Sequence, residues 1–216
     1  MNKNYEIRSY RAAFRSEDDK SRVIRGLAIP VEARSELLCD EFYEIISREA
    51  VNEELINNND VKLYINHDDK QGVFARSKYG KGSLRLYIDE NGLNFETELP
   101  DNALGNYLLD AIKRQDIDAV SFAFNVKEEE WHKLPDGKYE HIIKAFDVLD
   151  EISCLYVEAA FHQTNVSKRS LESFKEEEVR AKEEADKQAQ VESLKKIAEI
   201  EEDFNDLYKN FLNTVY

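Results

Sequence analysis

The chain has 216 residues, of which 30 are Lys or Arg and 45 are Asp or Glu, so its formal net charge is −15. A surface this acidic repels a phosphate backbone, which argues against a nucleic-acid-binding protein. Its two cysteines cannot build a disulfide framework. Its first residues contain no apolar signal region, and no stretch approaches the ~18 apolar residues of a membrane span. We therefore expect a soluble intracellular protein.

Residues 1–169 contain all 7 glycines and all 3 prolines, together with short runs of alternating apolar and polar residues. Such runs, bounded by turn residues, are typical of β-strands. They lie at 22–29, 61–67, 83–88, 93–99, 119–126, 139–146 and 148–159. Asp89-Glu90-Asn91-Gly92 and Pro135-Asp136-Gly137 predict turns between successive strands.

Helices are fewer in this part of the chain. Asp101 or Asn102 can cap a helix over 103–114, where apolar residues recur at helical spacing. A second helix is predicted over 48–58, with Ser47 as its cap. We therefore expect an α+β fold in which antiparallel pairing predominates, with a closed or nearly closed β-barrel surrounded by helices.

The last part, residues 170–216, has no Gly or Pro and is rich in Lys and Glu. Five apolar side chains recur at three-, four- and seven-residue intervals, which places them on one face of a helix: Leu194, Ile197, Phe204, Tyr208 and Phe211. Three arrangements remain open, namely a helix folded back on the barrel, an interaction arm and a dimerisation coil. The absence of a sustained heptad repeat argues against a long coiled coil.

Three of the predicted strands each carry one conspicuous polar residue. The alternation in 61–67 places His67 on the face of the apolar residues, at the end of the strand. Ser121 lies on a face of small residues, which either packs against a close neighbour or leaves room for an extended substrate. In 148–158, Glu151 shares a face with apolar residues, where a carboxylate needs a partner such as an imidazole N–H.

Together these three residues supply a nucleophile (Ser121), a general base (His67) and an orienting carboxylate (Glu151), the minimum for a serine hydrolase. Each also has a structural interpretation. Ser121 is then a small strand residue, His67 a satisfied residue at a strand edge, and Glu151 an ion-pair partner of any Lys or Arg. The catalytic interpretation requires that the fold bring the three together.

Other chemistries fit the sequence less well. His67-Asp68-Asp69 has the residue types of a metal site, but His132, His141 and His162 lack the spacing of a metal-binding motif. Cys154 lies on the strand face opposite Glu151 and has no evident neighbouring base. Phosphate-binding glycine loops are absent from the sequence. We therefore expect no metal and no cofactor.

Six segments occur in a fixed order between residues 5 and 169. They are Arg25-Gly26-Leu27-Ala28, Phe42-Tyr43-Glu44-Ile45-Ile46, Leu63-Tyr64-Ile65-Asn66-His67-Asp68, the hairpin and helix entry at 82–101, Ser121-Phe122-Ala123-Phe124, and Glu151-Ile152-Ser153. This series resembles the prohead maturation proteases of tailed bacteriophages, distant relatives of the herpesvirus assemblins. The third, fifth and sixth segments resemble the family's histidine, nucleophile and acidic motifs.

The chain departs from the family pattern at two places. Family members commonly have glycine where Ala123 stands, and the methyl group of the alanine reduces the space beside the nucleophile. They commonly have a proline-alanine pair where this chain has Glu158-Ala159. Viral relatives use histidine as the third member of the triad, so the role of Glu151 is the least constrained of the three.

The resemblance implies a herpesvirus-protease-like serine protease domain over 1–169 and a helical C-terminal tail over 170–216. It also implies a prohead maturation endopeptidase that cleaves the scaffolding segment of the major capsid protein, and itself, inside the procapsid in the host cytoplasm. The capsid protein is the expected partner, with a homo-oligomer as a further option and no nucleic acid or membrane. The alternative is a non-enzymatic capsid-assembly factor that works through the tail.

Overall fold

A computed structural model describes residues 5–11, 14–16, 21–156 and 165–215. The chain divides into two compact units, Met1–Lys168 and Arg169–Tyr216. The strands are β1 (Glu6–Arg11), β2 (Arg15–Ser16), β3 (Val23–Pro30), β4 (Phe42–Ile46), β5 (Asp60–Ile65), β6 (Ala75–Lys78), β7 (Lys81–Gly82), β8 (Arg85–Asp89), β9 (Gly92–Glu98), β10 (Ala119–Lys133) and β11 (Tyr139–Leu155). The α-helices are α1 (Glu53–Asn58), α2 (Ala103–Lys113) and α3 (Asn165–Val215), and short 3₁₀ turns span Arg48–Ala50 and Asp69–Gln71.

The strands form two sheets. In the larger, seven-stranded sheet the order is β1-β10-β11-β5-β6-β7, and β4 also pairs with β11; the smaller sheet has the order β2-β3-β9-β8. Two strand pairs are parallel, β4 with β11 and β5 with β11, and all the other pairs of the described strands are antiparallel. The predicted α+β class is thus confirmed, with a C-terminal helix.

The predicted barrel is wrong, because the described strands form two open sheets. The reason lies in β11, which is 17 residues long. Its first part pairs with β4 and its last part pairs with β5, so two strands follow each other along the same side of it. Alternation along a strand shows which residues face the core but does not show which strands are neighbours.

The two predicted turns are present. Asp89 closes the β8–β9 hairpin, because its carboxylate accepts hydrogen bonds from the backbone N–H groups of Asn91 and Gly92. Gly92 has a φ of 136°, and a Cβ there would lie 2.0 Å from the carbonyl oxygen of Ile29. Gly137 turns the chain between β10 and β11 with a φ of 84°. The predicted strands 139–146 and 148–159 are a single strand, β11, through Leu155.

The helix α2 begins after Asn102, whose side chain accepts a hydrogen bond of 2.8 Å from the backbone N–H of Gly105. This confirms one of the two predicted caps. The single helix predicted over 48–58 is instead a 3₁₀ turn followed by α1. Asn52 is extended and caps α1, whereas the Ser47 side chain makes no capping hydrogen bond.

One hydrophobic cluster joins the two sheets. Val120, Phe122 and Phe124 of β10 lie in it and are at most 1% exposed. Each buried aromatic side chain of this kind contributes roughly 1.5–3 kcal/mol of transfer free energy. Because side chains alternate along a strand, Ser121 and Ala123 lie on the other face of β10.

The helix α3 confirms that the tail is helical, and it begins five residues before the predicted start. Val179, Val191 and Leu194 are exposed apolar residues on it. The side chains of Ile197, Phe204, Tyr208 and Phe211 lie outside the described residues. The predicted apolar face of the tail therefore stays a prediction.

Candidate active site

His67 does not continue the apolar stripe of β5. The strand ends at Ile65, and Asn66 and His67 follow in the left-handed region with φ of 51° and 61°. Two such residues in succession break the strand alternation. The His67 ring contacts Glu151, whose cross-strand neighbour on β5 is Lys62. The His67 ring therefore lies on the face of β5 that carries Lys62, whereas the prediction placed it on the apolar face.

Glu151 reaches the same face because of a bulge in β11. Glu151 pairs with Ala123, but the next pair along the strands is Leu149 with Phe124, so Asp150 is an extra residue. Leu149 therefore belongs to the core while Glu151 lies on the opposite face. Alternation over 148–158 predicts that Glu151 shares a face with Leu149, Leu155 and Val157. For Leu149 this is wrong, since alternation does not reveal a bulge, whereas Leu155 does lie on the face of Glu151 and Val157 lies outside the described residues.

The Glu151 carboxylate is buried and fully partnered. Its Oε1 contacts Nδ1 of His67, and its Oε2 accepts a hydrogen bond of 2.7 Å from the Ser153 hydroxyl. An ionised carboxylate only accepts hydrogen bonds, so the proton of the neutral imidazole lies on Nδ1. This leaves Nε2 of His67 as the atom that can accept a proton, which is the arrangement a general base requires.

Ser121 lies on β10, between β1 and β11. Its cross-strand neighbours are Ser9 on one side and Ser153 on the other. Strands lie about 4.8 Å apart, so Ser121 is one strand away from Ser153 and shares its face. The Ser121 side chain is completely buried, and its hydroxyl donates to the backbone oxygen of Arg8 at 2.9 Å. The small-residue face of β10 is thus packed.

The structure therefore joins His67 directly to Glu151 and places Ser121 on the adjacent strand of the same sheet face. A hydrogen bond between Ser121 and His67 is not found among the described residues, and the predicted approach of these two side chains stays a prediction. Ser153 makes hydrogen bonds to Glu151 and to the backbone of His67 that its place in the acidic motif did not predict.

A buried polar network, also not expected, surrounds Arg8. The Arg8 guanidinium donates two hydrogen bonds of 2.6 Å to the Glu44 carboxylate and also contacts Glu6. Glu44 in turn contacts Nδ1 of His141 at 3.0 Å, and Nε2 of His141 contacts Glu129 at 2.6 Å. All of these except Glu129 are at most 6% exposed. The charged residues at alternate positions of β1 were the one sequence signal for it.

The network fixes the charges of its members. Burial alone would lower the pKa of Arg8, but the carboxylates of Glu44 and Glu6 raise it, so the guanidinium stays charged. Burial alone would likewise lower the pKa of His141, and its hydrogen bonds to Glu129 and Glu44 raise it instead. Because the backbone oxygen of Arg8 accepts from Ser121, this network also anchors the strand that holds the serine hydroxyl.

The other candidates are not supported. Burial, together with the charge of Glu151, raises the pKa of the Cys154 thiol to about 12, so the thiol is protonated and a poor nucleophile near neutral pH. Within the described part of the chain, no group of three His, Cys, Asp or Glu side chains is placed to hold a metal ion. His162 lies outside the described residues.

A cavity of about 440 Å³ opens beside the candidate site. Lys62 and Asp150 line it, and they form an ion pair of 3.0 Å. Asn125 lines it as well, four residues along β10 from Ser121. Ser121, His67 and Glu151 do not themselves line this cavity.

A family model for the caudovirus prohead serine protease matches residues 9–177. The chain belongs to this family. The resemblance predicted from sequence is thus confirmed, and the family is one of phage capsid-maturation proteases. The assignment to the serine type comes from the name of the family. The matched range contains Ser121, His67 and Glu151.

Among solved structures, the bacteriophage T4 capsid assembly protease, gp21, is similar to this chain. The match has a TM-score of 0.44 and 9% sequence identity, and it covers 72% of this chain and 99% of the phage protein. No curated protein matches the sequence. In the described part of the chain, the helices are all too short or too polar to cross a membrane.

Proposed function

We propose that this protein is a prohead maturation serine endopeptidase with Ser121 as nucleophile, His67 as general base and Glu151 as the residue that orients His67. The contact between Nδ1 of His67 and Glu151 is the observation that carries the proposal. It fixes the imidazole with Nε2 free to accept a proton. Family membership makes a protease the reaction to be explained.

In the proposed reaction, Ser121 Oγ attacks the carbonyl carbon of the scissile peptide while its proton passes to Nε2 of His67. The protonated His67 then donates this proton to the leaving amine, and water later hydrolyses the acyl-enzyme by the same route. Glu151 stabilises the imidazolium. Since Ser121 is buried and bonded to Arg8, acylation requires its side chain to rotate and the residues that cover it to move aside.

The proposed substrates are the scaffolding segment of the major capsid protein and the protease itself, inside the procapsid in the host cytoplasm. The name of the family supports this place of action, since a prohead is the immature capsid.

The second candidate is a non-enzymatic assembly factor that works through its tail. The complete burial of Ser121 is the observation that favours it. The two candidates differ in one property, because only an enzyme has a reactive serine.

A fluorophosphonate probe tests this on the full chain, since it labels an activated serine without any need for the substrate. We expect labelling and self-cleavage in the wild type and loss of both in Ser121→Ala and His67→Ala, to about the same extent, because the members of a triad act as a unit. Matched controls are Ser77→Ala, at a buried strand serine, and His132→Ala, at an exposed histidine. Unchanged labelling in Ser121→Ala would remove Ser121 as the nucleophile.

A further inference from the structure

The Ser153 hydroxyl closes a ring of contacts with the two residues proposed to activate Ser121. It donates to Oε2 of Glu151 at 2.7 Å and accepts from the backbone N–H of His67 at 3.1 Å. The other carboxylate oxygen of Glu151 contacts Nδ1 of the same histidine. The ring of His67 therefore contacts the Glu151 carboxylate directly, and its backbone N–H is linked to the same carboxylate through the Ser153 hydroxyl.

We propose that Ser153 is a positioning residue, which holds His67 and Glu151 in the geometry that the reaction needs. The inference rests on the proposed function. Ser153 is completely buried, so water does not compete for its hydrogen bonds. Its cross-strand neighbours are Ser121 on β10 and Tyr64 on β5, which places it between the proposed nucleophile and the strand that leads to the proposed base.

His67 depends on this hydroxyl because it lies beyond the end of β5. The ladder between β5 and β11 ends at the pair of Ile65 with Cys154, and the N–H of Asn66 still donates to the carbonyl oxygen of Cys154 at 3.1 Å. The next N–H, that of His67, has no strand partner and donates to Ser153 instead. The Ser153 side chain thus adds one hydrogen bond beyond the last backbone pair of β5 and β11, at the residue where the chain turns with positive φ.

Removal of the hydroxyl takes this partner away from two polar groups, the part-buried N–H of His67 and one buried oxygen of Glu151. Such a loss is unfavourable, so the turn and the carboxylate shift to find new partners. A displacement of about 1 Å at a catalytic group is enough to slow a reaction roughly a hundredfold. The expected effect of Ser153→Ala is therefore on the geometry of His67 rather than on a contact with substrate.

A simpler explanation is that Ser153 is only a small residue in a packed strand. Ser77 separates the two explanations, because it is buried to 1% exposure on β6 of the same sheet. Among the described residues, its hydroxyl has no hydrogen-bond partner. Ser77→Ala therefore measures the effect of removing a buried serine hydroxyl that positions nothing.

Two measurements on the full chain test the proposal. The first is the rate of labelling by a fluorophosphonate, in which Ser121 Oγ forms a bond to phosphorus, the P–F bond breaks, fluoride leaves and the serine proton passes to His67. The second is the downfield proton NMR signal of the His67 Nδ1–H group, which reports its hydrogen bond to Glu151 whether or not the chain is active. We expect Ser153→Ala to slow labelling about tenfold to hundredfold and to lose the NMR signal.

Ser77→Ala should change neither measurement, and Ser153→Thr, which keeps the hydroxyl, should recover most of the labelling rate. The proposal is overturned if Ser153→Ala labels as fast as Ser77→Ala with the NMR signal intact. It is equally overturned if Ser153→Ala does not fold, since Ser153 is then a structural residue. If the wild type is not labelled at all, the proposed function fails, and the NMR signal alone decides whether Ser153 positions His67.

Discussion

Nδ1 of His67 lies against Oε1 of Glu151, although 84 residues separate the two in sequence. Two local departures from strand geometry bring them together. A pair of left-handed residues turns His67 at the end of β5, and a bulge at Asp150 turns Glu151 away from the core face of β11. The candidate site therefore depends on the backbone at these two places as much as on its side chains.

Glu151→Gln should slow fluorophosphonate labelling roughly a hundredfold, less than Ser121→Ala does. A glutamine amide can still occupy the site but cannot stabilise the imidazolium, and it can orient its N–H group toward Nδ1, which then favours the wrong tautomer. Glu140→Gln, on the same strand β11, is the matched control and should label at the wild-type rate. Equal rates for the two variants would leave Glu151 without a role in the reaction.

Arg8→Met should lower the free energy of unfolding by about 3–5 kcal/mol, measured by urea denaturation, because it leaves the buried Glu44 and Glu6 carboxylates without their cation. The control is Arg85→Met, which removes an ion pair to Glu96 from a side chain that is 67% exposed. Its effect should be below about 1 kcal/mol. A similar loss in both variants would mean that the network around Arg8 contributes little.

The stability of the fold should decrease steeply in acid. Burial alone would raise the pKa of Glu44, but Arg8 and His141 lower it to about 2. A carboxylate with a lowered pKa stabilises the folded state above its ordinary pKa, near 4.5, and this contribution is lost as the pH falls toward 2. Urea denaturation between pH 2 and 5 measures the decrease, which Glu44→Gln should make shallower; an unchanged slope would contradict the pKa.

The tail should direct the protein into procapsids. Its exposed apolar residues Val179, Val191 and Leu194, together with the predicted apolar face beyond them, are unfavourable in water and call for a partner. A chain that ends after Arg169 should fold and still label with fluorophosphonate, yet fail to be incorporated when co-expressed with the capsid protein. Normal incorporation would refute this role, and an insoluble product would show that the tail belongs to the core.

Some local features of the fold were predictable from sequence, whereas the pairing of the strands was not. The hairpin turn at Asn91-Gly92 and the cap at Asn102 depend on neighbouring residues only, and both were predicted. The open arrangement of the sheets depends on β11 accepting two parallel partners, which no strand pattern encodes. Alternation likewise placed His67 on the wrong face of β5 and Glu151 on the face of Leu149, because it assumes an unbroken strand at each.

The proposed base and its carboxylate lie on elements that open at different free-energy cost. Glu151 belongs to a central strand with partners on both sides, and its backbone separates from them only when the sheet itself opens. His67 belongs to a short, partly exposed turn beyond the end of β5, and its backbone N–H is held by the Ser153 hydroxyl. Opening of that turn alone removes the base while the sheet stays intact. Heating should therefore abolish activity below the temperature at which the protein melts.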